Sequence, residues 1–127
     1  MKILLDTNIV IMLIDGGTRL SPATLDVLFD PEQSLVTSVI SLWEIAIKTR
    51  TGKLVMVISP DQLAAKLTDL GIETLPLAPE HSVADPQLPP ALKDPFDRMF
   101  VAVAEYEQIP YLTTDTKLLD HPLAWRP

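Results

Sequence analysis

Four short apolar runs, at residues 2–5, 34–37, 72–77 and 111–113, are separated by segments long enough for helices and patterned like them. Strands that alternate with helices pair in parallel, because each crossover carries a helix back over the sheet. The chain is therefore predicted to be an α/β protein with three layers, helices covering both faces of a central parallel sheet. Four to five strands are expected, the fifth an edge strand around Leu123 to Trp125. At 127 residues the expectation is a single domain spanning 1–127.

Proline, glycine and short polar residues punctuate the helices. After Asp6-Thr7-Asn8, the apolar run Ile9 to Ile14 opens a helix that Asp15-Gly16-Gly17 stops. Ser21-Pro22 and Ser59-Pro60 each read as a cap followed by proline in the first helical turn. The first of these helices is expected to run to about Asp30, the second to Gly71. Ser38 caps a long helix through Trp43, Glu44 and Ile47 to about Thr51, with Gly52 as its stop. Six of the twelve prolines fall between Pro76 and Pro95, which predicts irregular chain with a short helix around Glu80 to Asp85. Asp94-Pro95 then starts a helix towards Gln108.

Composition narrows the chemistry. The 47% hydrophobic content and positive mean hydropathy indicate a filled core. Cysteine is absent, which excludes disulfides and thiolate metal sites. The apolar run at residues 3–5 is too short for an export signal, and the stretch Leu35 to Ile47 is too short and too polar to span a bilayer. A cytoplasmic protein with no membrane partner is expected. A net charge of −7 argues against nucleic acid at first sight, since phosphate binding shows as a basic surface. That inference fails if several acids hold metal, so charge alone decides little.

Four acids carry the argument. Asp6 and Asp115 stand directly after the first and fourth apolar runs, and sites in open parallel sheets form beyond the carboxyl ends of strands, where strand order reverses. Asp97 lies in the first turn of the helix feeding the fourth strand, and Glu44 on the helix after the second. Each has an ordinary alternative. Asp6 reads equally as a helix cap, Asp97 as part of a capping pair, and Asp115 as a turn residue. Glu44 resists such a reading, set between Trp43 and Ile45-Ala46-Ile47. Asp94 is read as a cap. Gathered carboxylates repel one another unless a cation joins them. Oxygen donors without cysteine suit Mg²⁺, with Mn²⁺ as substitute, and such a site activates water for attack on phosphorus.

Leu5-Asp6-Thr7-Asn8, Ser41-Leu42-Trp43-Glu44-Ile45-Ala46, Asp94-Pro95-Phe96-Asp97-Arg98-Met99 and Leu112-Thr113-Thr114-Asp115 occur in the order seen in PIN domains. The chain resembles that family over nearly its whole length, and most closely the VapC-type toxins of prokaryotic type II toxin–antitoxin systems. The resemblance implies a metal-dependent endoribonuclease that cuts RNA, inhibited by a small antitoxin and usually homodimeric. It also implies Asp6 and Asp97 as central metal ligands, Glu44 and Asp115 as their complement, and Thr113 as a supporting hydroxyl. Asn8 stands where close relatives often carry histidine, which keeps a polar contact but not a proton-transfer group. Residues 89–93 lack the histidines often found there.

Lys48, Arg50 and Lys53, at the end of the Glu44 helix, are candidates to hold RNA phosphates, or else ordinary cations at a helix C-terminus. Arg98 is a weaker candidate, read in preference as the structural partner of a neighbouring acid such as Asp94. His81 is read as a structural or surface histidine rather than a ligand. Trp43, Phe96 and Phe100 are read as core or subunit-packing residues. Two other classes remain: a different phosphate enzyme, such as a DNA nuclease or phosphatase, and a receiver-like Mg²⁺-binding signalling module. Asp6 lacks an acid two residues on, and the second and third strands end at Thr37 and Leu77 without a phosphoacceptor aspartate, which counts against both.

Overall fold

The computed structural model describes residues 1–125 and 127. Its centre is strand β1 (Lys2–Leu5), flanked in parallel by β2 (Ser34–Ser38) and β4 (Tyr111–Leu112), with β3 (Glu73–Leu75) beyond β2. The order β3-β2-β1-β4 reverses direction between β1 and β4. Ile3, Leu4 and Leu5 are all fully buried, as expected for a parallel strand covered on both faces. Alternation along β1 divides the core in two. Ile3 and Leu5 pack with Ile9, Val10, Ile45, Leu63 and Leu67, while Leu4 packs with Val36, Phe100, Val103 and Tyr111. Helices α1 (Thr7–Ile14), α2 (Pro22–Leu28) and α4 (Leu63–Asp69) supply the first layer together with Ile45 of α3 (Val39–Arg50). Helix α6 (Pro95–Glu107) supplies the other. Among the described residues no helix is long and apolar enough to cross a membrane.

The caps fall where the short polar residues stand. Ser21 Oγ accepts from the Thr24 N–H with Pro22 behind it, and Ser38 Oγ accepts from the Ile40 N–H. Asp94 accepts from the N–H groups of Phe96 and Asp97 and caps α6. Helix α1 begins at Thr7, two residues earlier than Ile9, because Asp6 itself is its cap. Ser59-Pro60 opens a single 3-10 turn, Pro60–Gln62, and α4 starts only at Leu63. The short helix α5 (Pro79–Val83) stops before Asp85, which precedes Pro86 and is steered away from helical backbone. Gln108 ends α6 at φ +55°, a left-handed position usually given to glycine.

Two strands are shorter than their apolar runs. β4 stops at Leu112, and the Thr113 hydroxyl just beyond it donates to Asp6. The expected edge strand at residues 123–125 is one parallel bridge, Tyr111 with Ala124. The C-terminal segment is held there by backbone bonds, Tyr111 N–H to the Leu123 carbonyl (2.9 Å) and Trp125 N–H to the Tyr111 carbonyl (2.7 Å), and by side chains. His121 Nδ1 accepts from the Leu123 N–H, so its ring proton sits on Nε2, 2.6 Å from Glu105 of α6. His81 is buried in the same way: Nδ1 accepts from the Ala78 N–H and Nε2 meets Glu107 at 2.9 Å. Its expected structural role is met.

Two expectations are narrowed by the structure. Arg98 is structural, as read, but its acid is not Asp94, whose Oδ1 is taken by the α6 backbone. Its guanidinium instead donates to the carbonyls of Leu92 (2.9 Å) and Pro89 (3.3 Å) and meets Asp85 at 3.4 Å, holding the irregular loop before α6. Of the two readings of Trp43, core or subunit packing, the core one does not apply. It is 55% exposed, its ring edge-on to half-buried Phe96 at 5.7 Å, whereas Phe100 is buried against Tyr111.

Candidate active site

Because β4 lies directly against β1, the residues that follow these two strands emerge side by side at the reversal of strand order. Asp6, only 6% exposed, accepts from the Thr7 N–H through Oδ1 (2.8 Å) and from the Thr113 hydroxyl through Oδ2 (2.6 Å). Thr113 Oγ1 in turn accepts the Asp115 N–H at 2.9 Å, so one hydroxyl ties the two strand ends together. Glu44, 8% exposed, projects from α3 with both oxygens engaged. Thr7 Oγ1 donates to Oε1 (2.8 Å) and also lies 2.8 Å from Ser41 Oγ, while Lys48 Nζ is 2.5 Å from Oε2. Asp97 is half-buried in the first turn of α6. Asp115 caps a 3-10 turn, Thr116–Leu118, and its Oδ2 lies 3.7 Å from Lys117 Nζ.

These side chains enclose a cavity of about 190 Å³ lined by Asp6, Thr7, Asn8, Glu44, Lys48, Asp94, Asp97, Asp115 and Lys117. All four acids singled out in the sequence therefore face one space, with exposed Asn8 beside them and Thr113 supporting from beneath. Arg50, Lys53 and Arg98 are not among its walls; Arg50 donates to the Ala46 carbonyl of its own helix and Lys53 is exposed. The sequence reading missed Thr7, Ser41 and Lys117. Ser41 and Lys48 were legible as neighbours of Glu44, three before and four after it on one helical face. A larger cavity of about 550 Å³, between the end of α1 and α2, is lined by apolar residues, Gly16, Gly17 and Thr18, with no ionisable group to perform chemistry.

Electrostatics separate the acids. Burial pushes the Asp6 carboxyl up to about 6, the Glu44 and Asp115 charges add to this, and the bonds from Thr113 and Thr7 oppose it. Asp97 is also pushed up to about 6, by burial first and then by Asp94, Asp6 and Asp115, with Lys117 opposing. Lys48 is raised above the ordinary lysine range by its hydrogen bond to Glu44. Asp6 and Asp97 are thus the carboxylates on which negative charge is least comfortable, and neither has an ammonium or guanidinium partner among the ion pairs of the described residues. An all-oxygen donor set with surplus negative charge fits a hard divalent cation. The acids surround a shared space rather than a point: among the described residues no three histidine, cysteine, aspartate or glutamate side chains stand close enough to form a ready-made ligand set.

Comparison with known proteins adds the decisive observation, a match of residues 3–122 to the family model of the PIN domain. The chain belongs to the PIN-domain family. PIN domains are nucleases, which makes the acid cavity of this PIN domain a candidate for phosphodiester hydrolysis. No curated protein sequence gives a significant match. Among solved structures, this PIN domain is similar to a chain of VapBC2 from Rickettsia felis bound to a DNA fragment from their promoter. The TM-score is 0.66 at 19% identity, covering 98% of this chain and 96% of that one. It is equally similar to a chain of a toxin–antitoxin complex from Klebsiella pneumoniae, with TM-score 0.66, 17% identity and the same coverage. The three-layer fold is therefore shared over nearly the full length of both chains.

Proposed function

We propose that this PIN domain is a Mg²⁺-dependent endoribonuclease and the toxin of a type II toxin–antitoxin pair. The observation that carries the hydrolytic part is the pairing of Asp6 with Asp97, two carboxylates in one cavity with surplus negative charge and no partner cation. They would hold the ion, with Mn²⁺ able to replace Mg²⁺. When bound, the ion supplies an activated water and stabilises charge developing on phosphorus. Glu44 and Asp115 complete the acid wall and orient that water. Thr113 fixes the rotamer of Asp6 by donating to one oxygen, which leaves the remaining lone pairs aimed into the cavity. Asn8, exposed on the wall, offers hydrogen bonds to substrate but no proton at neutral pH. Arg50 and Lys53, exposed towards the end of α3, give an approaching phosphate chain positive charge beyond the cavity.

The toxin part is supported by the likeness of fold to two toxin–antitoxin assemblies. A small cognate antitoxin is the partner we infer, with the cytoplasm as the place of action. A homodimer is in keeping with the exposed apolar side chains, Trp43 among them.

Incubation of the protein with RNA and Mg²⁺ tests the reading, with Asp6→Asn, Asp97→Asn and EDTA as comparisons. Internal cleavage by the wild type is expected. Its rate should fall by at least about 100-fold in each variant, the scale of removing one strong electrostatic contribution to a transition state. Cleavage that persists in EDTA or in both variants overturns the mechanism, and cleavage of DNA alone moves the protein to another nuclease class.

A further inference from the structure

The cavity carries its own cations, and their placement bears on how many metal ions it accepts. Asp6, Glu44, Asp94, Asp97 and Asp115 contribute five carboxylates, against the ammonium groups of Lys48 and Lys117. The two lysines are not equivalent. Lys117 Nζ stands 3.7 Å from Asp115 on a side chain 60% exposed, a loose pair that solvent screens. Lys48 Nζ is 2.5 Å from Glu44 Oε2, four residues on along one helix, and the Glu44 side chain is only 11% exposed. The other oxygen of Glu44 is held by Thr7, the residue adjoining Asp6. Each oxygen of the glutamate thus accepts a bond from this chain, which fixes it in place with the Lys48 ammonium directly against it. Asp94 is also committed, to the N-terminus of α6.

We propose that Lys48 is a resident cation of the acid cavity, occupying the place beside Glu44 that a second divalent ion would need, so that the substrate-free site takes one ion, at Asp6 and Asp97. This rests on the metal-nuclease reading above. Charge balance points the same way. Five carboxylates and two ammonium groups leave a net of three negative charges; one divalent ion reduces this to one, and two ions would make the empty cavity positive. A second ion at Glu44 would also have to displace an ammonium already hydrogen-bonded to a desolvated carboxylate. Lys48 is thus a positioning and charge-setting residue. It holds Glu44 towards the cavity and limits the metal content.

Titration of the substrate-free protein with Mn²⁺, following free ion by electron paramagnetic resonance, tests this without reference to activity. The wild type and Lys48→Arg are expected to bind about one ion per chain, and Lys48→Gln about two, because an unpaired Glu44 is a hard oxygen ligand. Lys48→Met, which keeps the apolar stem, provides a second charge-free variant should Lys48→Gln fold poorly. Two ions in the wild type, or one in the wild type and in both charge-free variants, overturns the role of Lys48 and leaves the nuclease reading standing. No binding by any of them overturns the metal reading and this inference together.

Discussion

Asp6 is the residue at which folding and chemistry conflict. Its carboxyl is raised from 3.8 to about 6, so the folded chain keeps a proton that the unfolded chain releases. Stability contributed by that difference is present below the unfolded value and is lost as pH rises through the folded one. Above about pH 6 the full penalty of a buried, repelled carboxylate applies. Asp6→Asn is therefore expected to stabilise the metal-free protein by about 1–2 kcal/mol at pH 7.5, and by nothing below about pH 4. Urea unfolding in EDTA at the two pH values measures it; a variant less stable than the wild type at neutral pH would contradict this linkage. Little of this was legible in the residue itself. An aspartate after an apolar run is equally a helix cap, and Asp6 is in fact both, bonding the Thr7 N–H while facing the cavity. Asp94 and Asp97 look alike in sequence, yet one serves the α6 backbone and the other keeps surplus charge.

At the scale of elements, α6 is the part whose start matters most. Asp94 holds its first turn, and Asp97 sits on that turn. Asp94→Ala should cost about 1 kcal/mol of stability, the usual worth of an N-cap. It should also weaken Mn²⁺ binding, because fraying moves Asp97; unchanged affinity alongside the stability loss would separate the cap from the site. Helix starts were readable because serine or aspartate before proline is a local instruction, satisfied within one turn. Strand lengths were less so. The run at 72–77 yields only Glu73–Leu75, and β4 ends where a threonine hydroxyl has a distant partner. For Arg98 a structural acid partner was legible but not which one: it meets Asp85, and its other acceptors are backbone carbonyls of a proline-rich loop, which no charge pattern reveals.

For the whole molecule, strand–helix alternation was enough to specify three layers. The placement of β4 beside β1, on which the site depends, is a tertiary fact that spacing allowed but did not impose. A folded site that collects negative charge makes the protein responsive to its cation. At Mn²⁺ concentrations about 100 times the dissociation constant, binding should add about 2.7 kcal/mol. For a chain of this length that raises Tm by roughly 8–16 °C at pH 7.5, at about 3–6 °C for each kcal/mol. The gain should fade as pH drops through about 6, where protons compete for Asp6 and Asp97, and should vanish in the Asp6→Asn, Asp97→Asn double variant. Thermal melts with and without Mn²⁺ decide it, and an equal rise in the double variant would place the ion elsewhere. The Thr113 hydroxyl that bonds Asp6 closes this arrangement across 107 positions of sequence. On a ribosome, a chain that has not reached Thr113 and Asp115 can pair β1 with β2 but not with β4, and its Asp6 lacks the hydroxyl donor. The acid cavity can therefore form only once Asp115 has been made, and no earlier stage of synthesis holds a complete site.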